Sequence, residues 1–122
     1  MIVKKKKRSC PFVTLYISAS SNNTRLVAAD NGDVVAWSSA GAAGFKGTKK
    51  STPHAAGEAT TMFVDKLRDL GVKSANLVLK GIFPGRDAAI KTLTGSGINI
   101  QKVSDRTSFA FNGCRQKGRR RV

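Results

Sequence analysis

The sequence predicts a single α/β domain: a sandwich of one mixed sheet with two helices, in the order βββαβαβ, carrying a basic arm at each end. Three observations lead there. Apolar and polar residues alternate in the early segments, a capped amphipathic stretch follows, and strand-like and helix-like segments then take turns. The implied boundaries are an N-terminal arm at 1–11, a folded domain at 12–104 and a C-terminal tail at 105–122. A chain of 122 residues with 40% hydrophobic composition can build one modest core.

Each element has its own signal. Val13, Leu15 and Ile17 alternate with Thr14, Tyr16 and Ser18, the pattern of a half-buried strand. Segments 24–30 and 33–38 flank Asn31-Gly32, a pair suited to a tight turn at positive φ, so they form a hairpin. Residues 39–51, rich in glycine and lysine, read as a long exposed loop. Thr52 and Pro53 then supply a side-chain cap and a first-turn proline. The helix they open carries an apolar stripe of Ala55, Ala59, Met62, Phe63, Leu67 and Leu70, and Gly71 ends it. Segment 75–80 is a second buried strand. Gly81 to Gly85 turn into a short helix over 86–94, which Gly95 and Gly97 stop. Ile98 and Ile100 alternate with Asn99 and Gln101 in a last strand, and no sustained pattern follows Asp105.

The charge is uneven. There are 22 Lys and Arg against 7 Asp and Glu, a net of +15. Lys4, Lys5, Lys6, Lys7 and Arg8 form one run; Arg115, Lys117, Arg119, Arg120 and Arg121 form another, with no acid in either. Such arms repel themselves, and a polyanion relieves the repulsion, so nucleic acid is the expected partner. No apolar run approaches the roughly 20 residues of a membrane span, and no secretory or transit signal is expected at the start. Cys10, Cys114 and His54 are too few for a four-ligand zinc site, so no metal or other cofactor is expected, and the thiols should be free.

The loops carry more specific strings: SSNNT at 20–24, WSSAGAAGFKGTKKSTPHAA at 37–56, KGIFPGRDAAI at 80–90 and NGCRQKGRRRV at 112–122. In this order they closely resemble the eleventh protein of the small ribosomal subunit, in its bacterial and organellar form, over residues 12–122. The resemblance implies a ribonuclease-H-like fold and no catalysis. It also implies a place on the platform of the small subunit near the mRNA exit path, bridging helices of the central rRNA domain. Implied protein neighbours are the sixth, seventh and eighteenth small-subunit proteins. Where the family has glycine and proline this chain has Ile82 and Phe83, which suit an apolar protein contact better than phosphate. It also lacks the prolines usual after NGCR. These departures suggest a diverged organellar, mitochondrial ribosome.

The residues fit that role by their chemistry. In the 39–52 loop, Gly44 and Gly47 allow close backbone approach to phosphate, Lys46, Lys49 and Lys50 supply charge, and Thr48, Ser51 and Thr52 offer short hydroxyl donors. Phe45 could stack on a base or cover the core, and His54 could serve RNA or face solvent. Asn22, Asn23 and Thr24 are turn residues that the resemblance marks as an RNA contact. Gly85 and Arg86 open a helix, where amides and a guanidinium suit an anion. Asn112, Gly113, Cys114 and the tail cations complete the expected RNA-binding set.

Two rivals make distinct demands. A two-metal nuclease needs several converging carboxylates, but the first strand has none and the others are dispersed over Asp30, Asp33, Glu58, Asp65, Asp69, Asp87 and Asp105. A DNA-reading module needs a helix that presents Arg, Asn or Gln to base edges, whereas the first helix carries Glu58, Asp65 and Asp69 on its polar side.

Overall fold

A computed structural model describes residues 10–118 of the chain. Its strands are β1 (Phe12–Ala19), β2 (Thr24–Asp30), β3 (Asp33–Ser39), β4 (Ser74–Lys80) and β5 (Asn99–Asp105), and its helices are α1 (Pro53–Asp69) and α2 (Gly85–Thr94). The strands form one sheet in the order β3-β2-β1-β4-β5. β1 pairs antiparallel with β2 and parallel with β4, β2 pairs antiparallel with β3, and β4 runs parallel to β5. The expected order of elements and mixed sheet are therefore both present.

Period-two burial gives the sheet its two faces. Val13, Leu15, Ile17 and Ala19 of β1 are buried, as are Leu26 and Ala28 of β2 and Ala75, Leu77 and Leu79 of β4. They form a core with Ala59, Phe63 and Leu67 of α1 and Ala89 and Leu93 of α2. Intervening positions such as Tyr16, Ser18 and Lys80 are exposed, so one sheet face is covered by helices and the other is open. The hairpin turn between β2 and β3 has Asn31 at φ 50° and Gly32 at φ 87°, as the tight turn requires.

Three details depart from expectation. The stripe of α1 is shifted: Met62 lies outside and is 40% exposed, while Ala56, Thr60 and Val64 are buried. The helix meets both the sheet and α2, so the apolar arc is wider than a single stripe and extends to the Ala56–Thr60–Val64 side. The 39–51 segment is not a plain loop, because it contains a short 3-10 helix over Gly47–Ser51. The last strand reaches Asp105, held by backbone pairing to β4 although most of its side chains are exposed.

The start of α1 follows its local chemistry. Thr52 Oγ1 accepts from the Ala55 amide at 3.2 Å, and Pro53 occupies the first helical position. Thr52→Ala should cost about 1 kcal/mol, read as a lower urea midpoint with an unchanged slope. Gly71, at φ 73°, ends the helix in the left-handed region.

Candidate RNA-binding surface

The topology gathers four distant segments at one end of the sheet. β1, β4 and β5 run parallel and so finish at the same end, where β2 begins and β3 finishes. The 20–23 connection, the 40–52 segment with the start of α1, the 81–85 turn with the start of α2, and the root of the tail all emerge there. Close contacts join them: the Ala40 amide donates to the Thr24 carbonyl at 3.1 Å, and a side chain on Gly85 would collide with Thr24 Oγ1 and crowd Ala56. Four of the seven acids, Asp30, Asp33, Asp65 and Asp69, lie toward the opposite end, so among the described residues the gathered end is the more basic one.

The lysine segment is built, not loose. The Ala43 amide donates to the Ser39 carbonyl at 3.0 Å, Gly44 to Gly41 at 3.2 Å and Phe45 to Ala40 at 3.2 Å, while the Ala42 amide binds Ser39 Oγ. Gly44 and Gly47 take positive φ at the two bends. Lys46 and Lys49 are exposed; Lys50 is half-buried, with Cδ at van der Waals distance from where a Gly41 side chain would begin. The three ammonium groups thus project from a fixed backbone turn. Phe45 is half-buried and meets the exposed His54 edge-on, with ring centroids 5.7 Å apart.

Several expected site residues have other tasks. Ser51 Oγ donates to the Thr48 carbonyl at 2.9 Å and Thr52 Oγ1 to the Lys49 carbonyl at 2.8 Å, so both hydroxyl protons are used inside the turn; Thr48 keeps an exposed hydroxyl. Thr24 is only 1% exposed and packs against Gly85, itself buried. The Thr24 hydroxyl is therefore not offered to a partner, contrary to expectation, whereas the expectation for Gly85 concerns its backbone amide at the helix start. Asn23 serves the turn, its Oδ1 accepting from the Thr24 amide at 2.9 Å, while Asn22 is exposed.

Arg86 carries a structural task that the sequence did not announce. Its Nη1 donates to Asp105 Oδ2 at 3.0 Å and to the Gly81 carbonyl at 2.9 Å, so this edge of the guanidinium is committed to an internal clamp. Thr107 completes it. Its hydroxyl and amide both donate to Asp105 Oδ1, and its oxygen accepts from the Gly81 amide at 3.1 Å. Asp105 is consequently held below the usual carboxylate range. The Thr107 hydroxyl contributes most, then the Thr107 amide; desolvation opposes them, and the hydrogen bond and charge of Arg86 add the smallest lowering effects. Because the folded-state pKa is lowered, the clamp's contribution is present above the ordinary carboxylate pKa and lost as pH falls through the lowered value. Acid titration followed by NMR should therefore show the Thr107 amide losing its protection before the core amides do.

Beyond the clamp, residues 106–118 are exposed and extended or bent. Asn112 sits at φ 58°, Gly113 has open space around it, and Cys114, Arg115 and Lys117 are exposed. Cys10 is buried, its thiol 3.5 Å from Asp30 Oδ2, and Cys114 is exposed, so no disulfide joins the two. Ile82 and Phe83 are 79% and 41% exposed. Lys4, Lys5, Lys6, Lys7, Arg8, Arg119, Arg120 and Arg121 lie outside the described residues. Two further cations that sequence reasoning missed, Lys80 and Arg106, stand at the same end, brought side by side by the β4–β5 register, which no local sequence signal announces. Among the described residues no cluster of His, Cys, Asp or Glu could hold a metal, and no helix is long and apolar enough to cross a membrane.

The family described as Ribosomal protein S11 matches residues 13–121. Small ribosomal subunit protein uS11c of Marchantia polymorpha is 47% identical over 121 residues, covering 98% of this chain and 93% of its own length. Its counterpart in Anthoceros angustus is 46% identical over 121 residues, with the same coverage. Small ribosomal subunit protein uS11 of Thermotoga maritima is 41% identical over 120 residues, covering 98% and 92%. Chloroplast-type and bacterial relatives give no support to a mitochondrial origin over a plastid one. A match over nearly the whole chain, at these identities, places the protein in the ribosomal protein S11 family, whose members are structural and non-enzymatic.

Proposed function

We propose that this chain is a structural constituent of a small ribosomal subunit of bacterial or organellar type, binding small-subunit rRNA through the basic end of its sheet. The observation that carries the reading is the convergence there of Lys46, Lys49, Lys50, Asn22 and the root of a basic tail. The rigid turn presents three cations at fixed spacing, suited to phosphates on a folded RNA surface, while the cationic tail follows the backbone of neighbouring helices. Platform placement near the mRNA exit path, and contacts to the sixth, seventh and eighteenth small-subunit proteins, belong to the same proposal. The exposed Ile82 and Phe83 suit one of the protein contacts.

The test is affinity of the full chain for folded small-subunit rRNA against duplex DNA at one salt concentration. Tighter binding to the RNA is expected. Equal or tighter binding to DNA would overturn the proposal, since charge alone would then explain the affinity.

A further inference from the structure

Resting on the rRNA-binding reading, we infer a second RNA contact of a different kind: a groove on the open sheet face that holds one unstacked nucleotide, its base against Tyr16 and its phosphate between Lys80 and Arg106. The groove has a volume of about 370 Å³, in the range of small-ligand sites, and is lined by Tyr16, Ser18, Val78, Lys80, Arg106 and Ser108. Its floor follows from strand register. Tyr16 lies beside Val78 and Ser18 beside Lys80 across the β1–β4 pair, all on the face away from the helices. Tyr16, on the central strand, is 42% exposed and so offers part of its ring to the groove.

The clamp supplies the remaining wall. In an extended segment alternate residues face opposite ways. Asp105 and Thr107 turn toward Arg86 and Gly81, so Arg106 and Ser108 turn to the groove; the Arg106 amide is held by the Leu79 carbonyl at 2.8 Å. This sets Arg106 next to Lys80, two like charges with no acid among the lining residues, an arrangement that costs energy until an anion arrives.

The charge and the ring together select the occupant. An apolar side chain from a protein would fill the Tyr16–Val78 floor but leave the two cations unanswered. A nucleotide satisfies both ends: a flat base on the phenol ring, a phosphate between ammonium and guanidinium, and Ser18 and Ser108 hydroxyls in reach of its edge or sugar. The site is distinct from the lysine turn, which offers cations on a surface without an open groove.

The experiment uses the full chain and a single-stranded RNA of about 12 nucleotides carrying one 2-aminopurine, a length within the site size of such binders. Stacking on Tyr16, the single tyrosine in the chain, quenches the probe. Tyr16→Phe should keep the quench and the affinity. Tyr16→Leu, which preserves apolar cover for the sheet, should lose the quench and bind about 5- to 150-fold more weakly. Arg106→Gln should lower the salt slope by about 0.7 while leaving the circular dichroism spectrum unchanged. Unchanged affinity and quench in Tyr16→Leu, with RNA still bound, would overturn the groove and leave the rRNA-binding reading intact. Failure of the unsubstituted chain to bind the single strand while it still binds folded rRNA would also overturn the groove, and failure to bind either RNA at about 0.1 M salt would overturn both.

Discussion

Replacing Lys46, Lys49 and Lys50 together with glutamine should weaken binding to small-subunit rRNA by about 100- to 500-fold at 0.1 M salt. The figure follows from counterion release. Each phosphate contact contributes about 0.7–0.9 to the slope of log affinity against log salt, so three lost contacts flatten the slope by about 2–3. The fold should be untouched. The hydrogen bonds that shape the turn come from backbone groups and from Ser39, Ser51 and Thr52, and no lysine ammonium takes part. Lys73→Gln is the matching control, an exposed cation beside the start of β4 at the opposite end of the sheet, and should leave the slope unchanged. If the triple variant keeps the full slope, the lysine turn does not touch phosphate.

Gly81→Ala should produce the largest loss of stability of any substitution in the loops between elements. Gly81 follows β4 at φ 93°, in the left-handed region, and a side chain there would overlap the carbonyl oxygen of Ala19. That oxygen belongs to the backbone of a central strand and cannot rotate aside. Strain at the dihedral and displacement of the strand together should cost roughly 3 kcal/mol or more, a fall in melting temperature of roughly 10–20 °C. The same residue anchors the tail, its carbonyl accepting from Arg86 and its amide donating to Thr107 Oγ1. Gly81→Ala should therefore also free the tail root, seen as loss of hydrogen-exchange protection at Thr107. Gly113→Ala, in open space at ordinary φ, should change stability by less than about 0.5 kcal/mol.

How much of this was legible in the sequence depends on the range of the interaction involved. Local chemistry was legible: the Thr52 cap with Pro53, the Asn31-Gly32 turn, Gly71 at the helix end and the alternation of β1 all lie within a few residues of their cause. The phase of α1 was less so, because the helix meets α2 as well as the sheet, which buries Val64 and leaves Met62 outside. Long-range pairings were invisible. Arg86 reads as a free anion ligand until folding brings Asp105, 19 residues away, to 3.0 Å. Thr24 reads as a turn hydroxyl until Gly85 closes over it. Lys80 and Arg106 become neighbours only once β5 pairs with β4. The resemblance identified the segments that meet RNA in the family, but the fold decides which of their side chains remain available.

The measurement that bears most directly on the proposed interface is a protein–RNA cross-linking map of assembled small subunits carrying this chain. Expected are cross-links to small-subunit rRNA from the Lys46–Lys50 turn and from the tail beyond Arg106, with none from the Asn31-Gly32 turn or Lys73 at the far end. Cross-links concentrated at that far end, with the lysine turn joined only to protein, would contradict the interface.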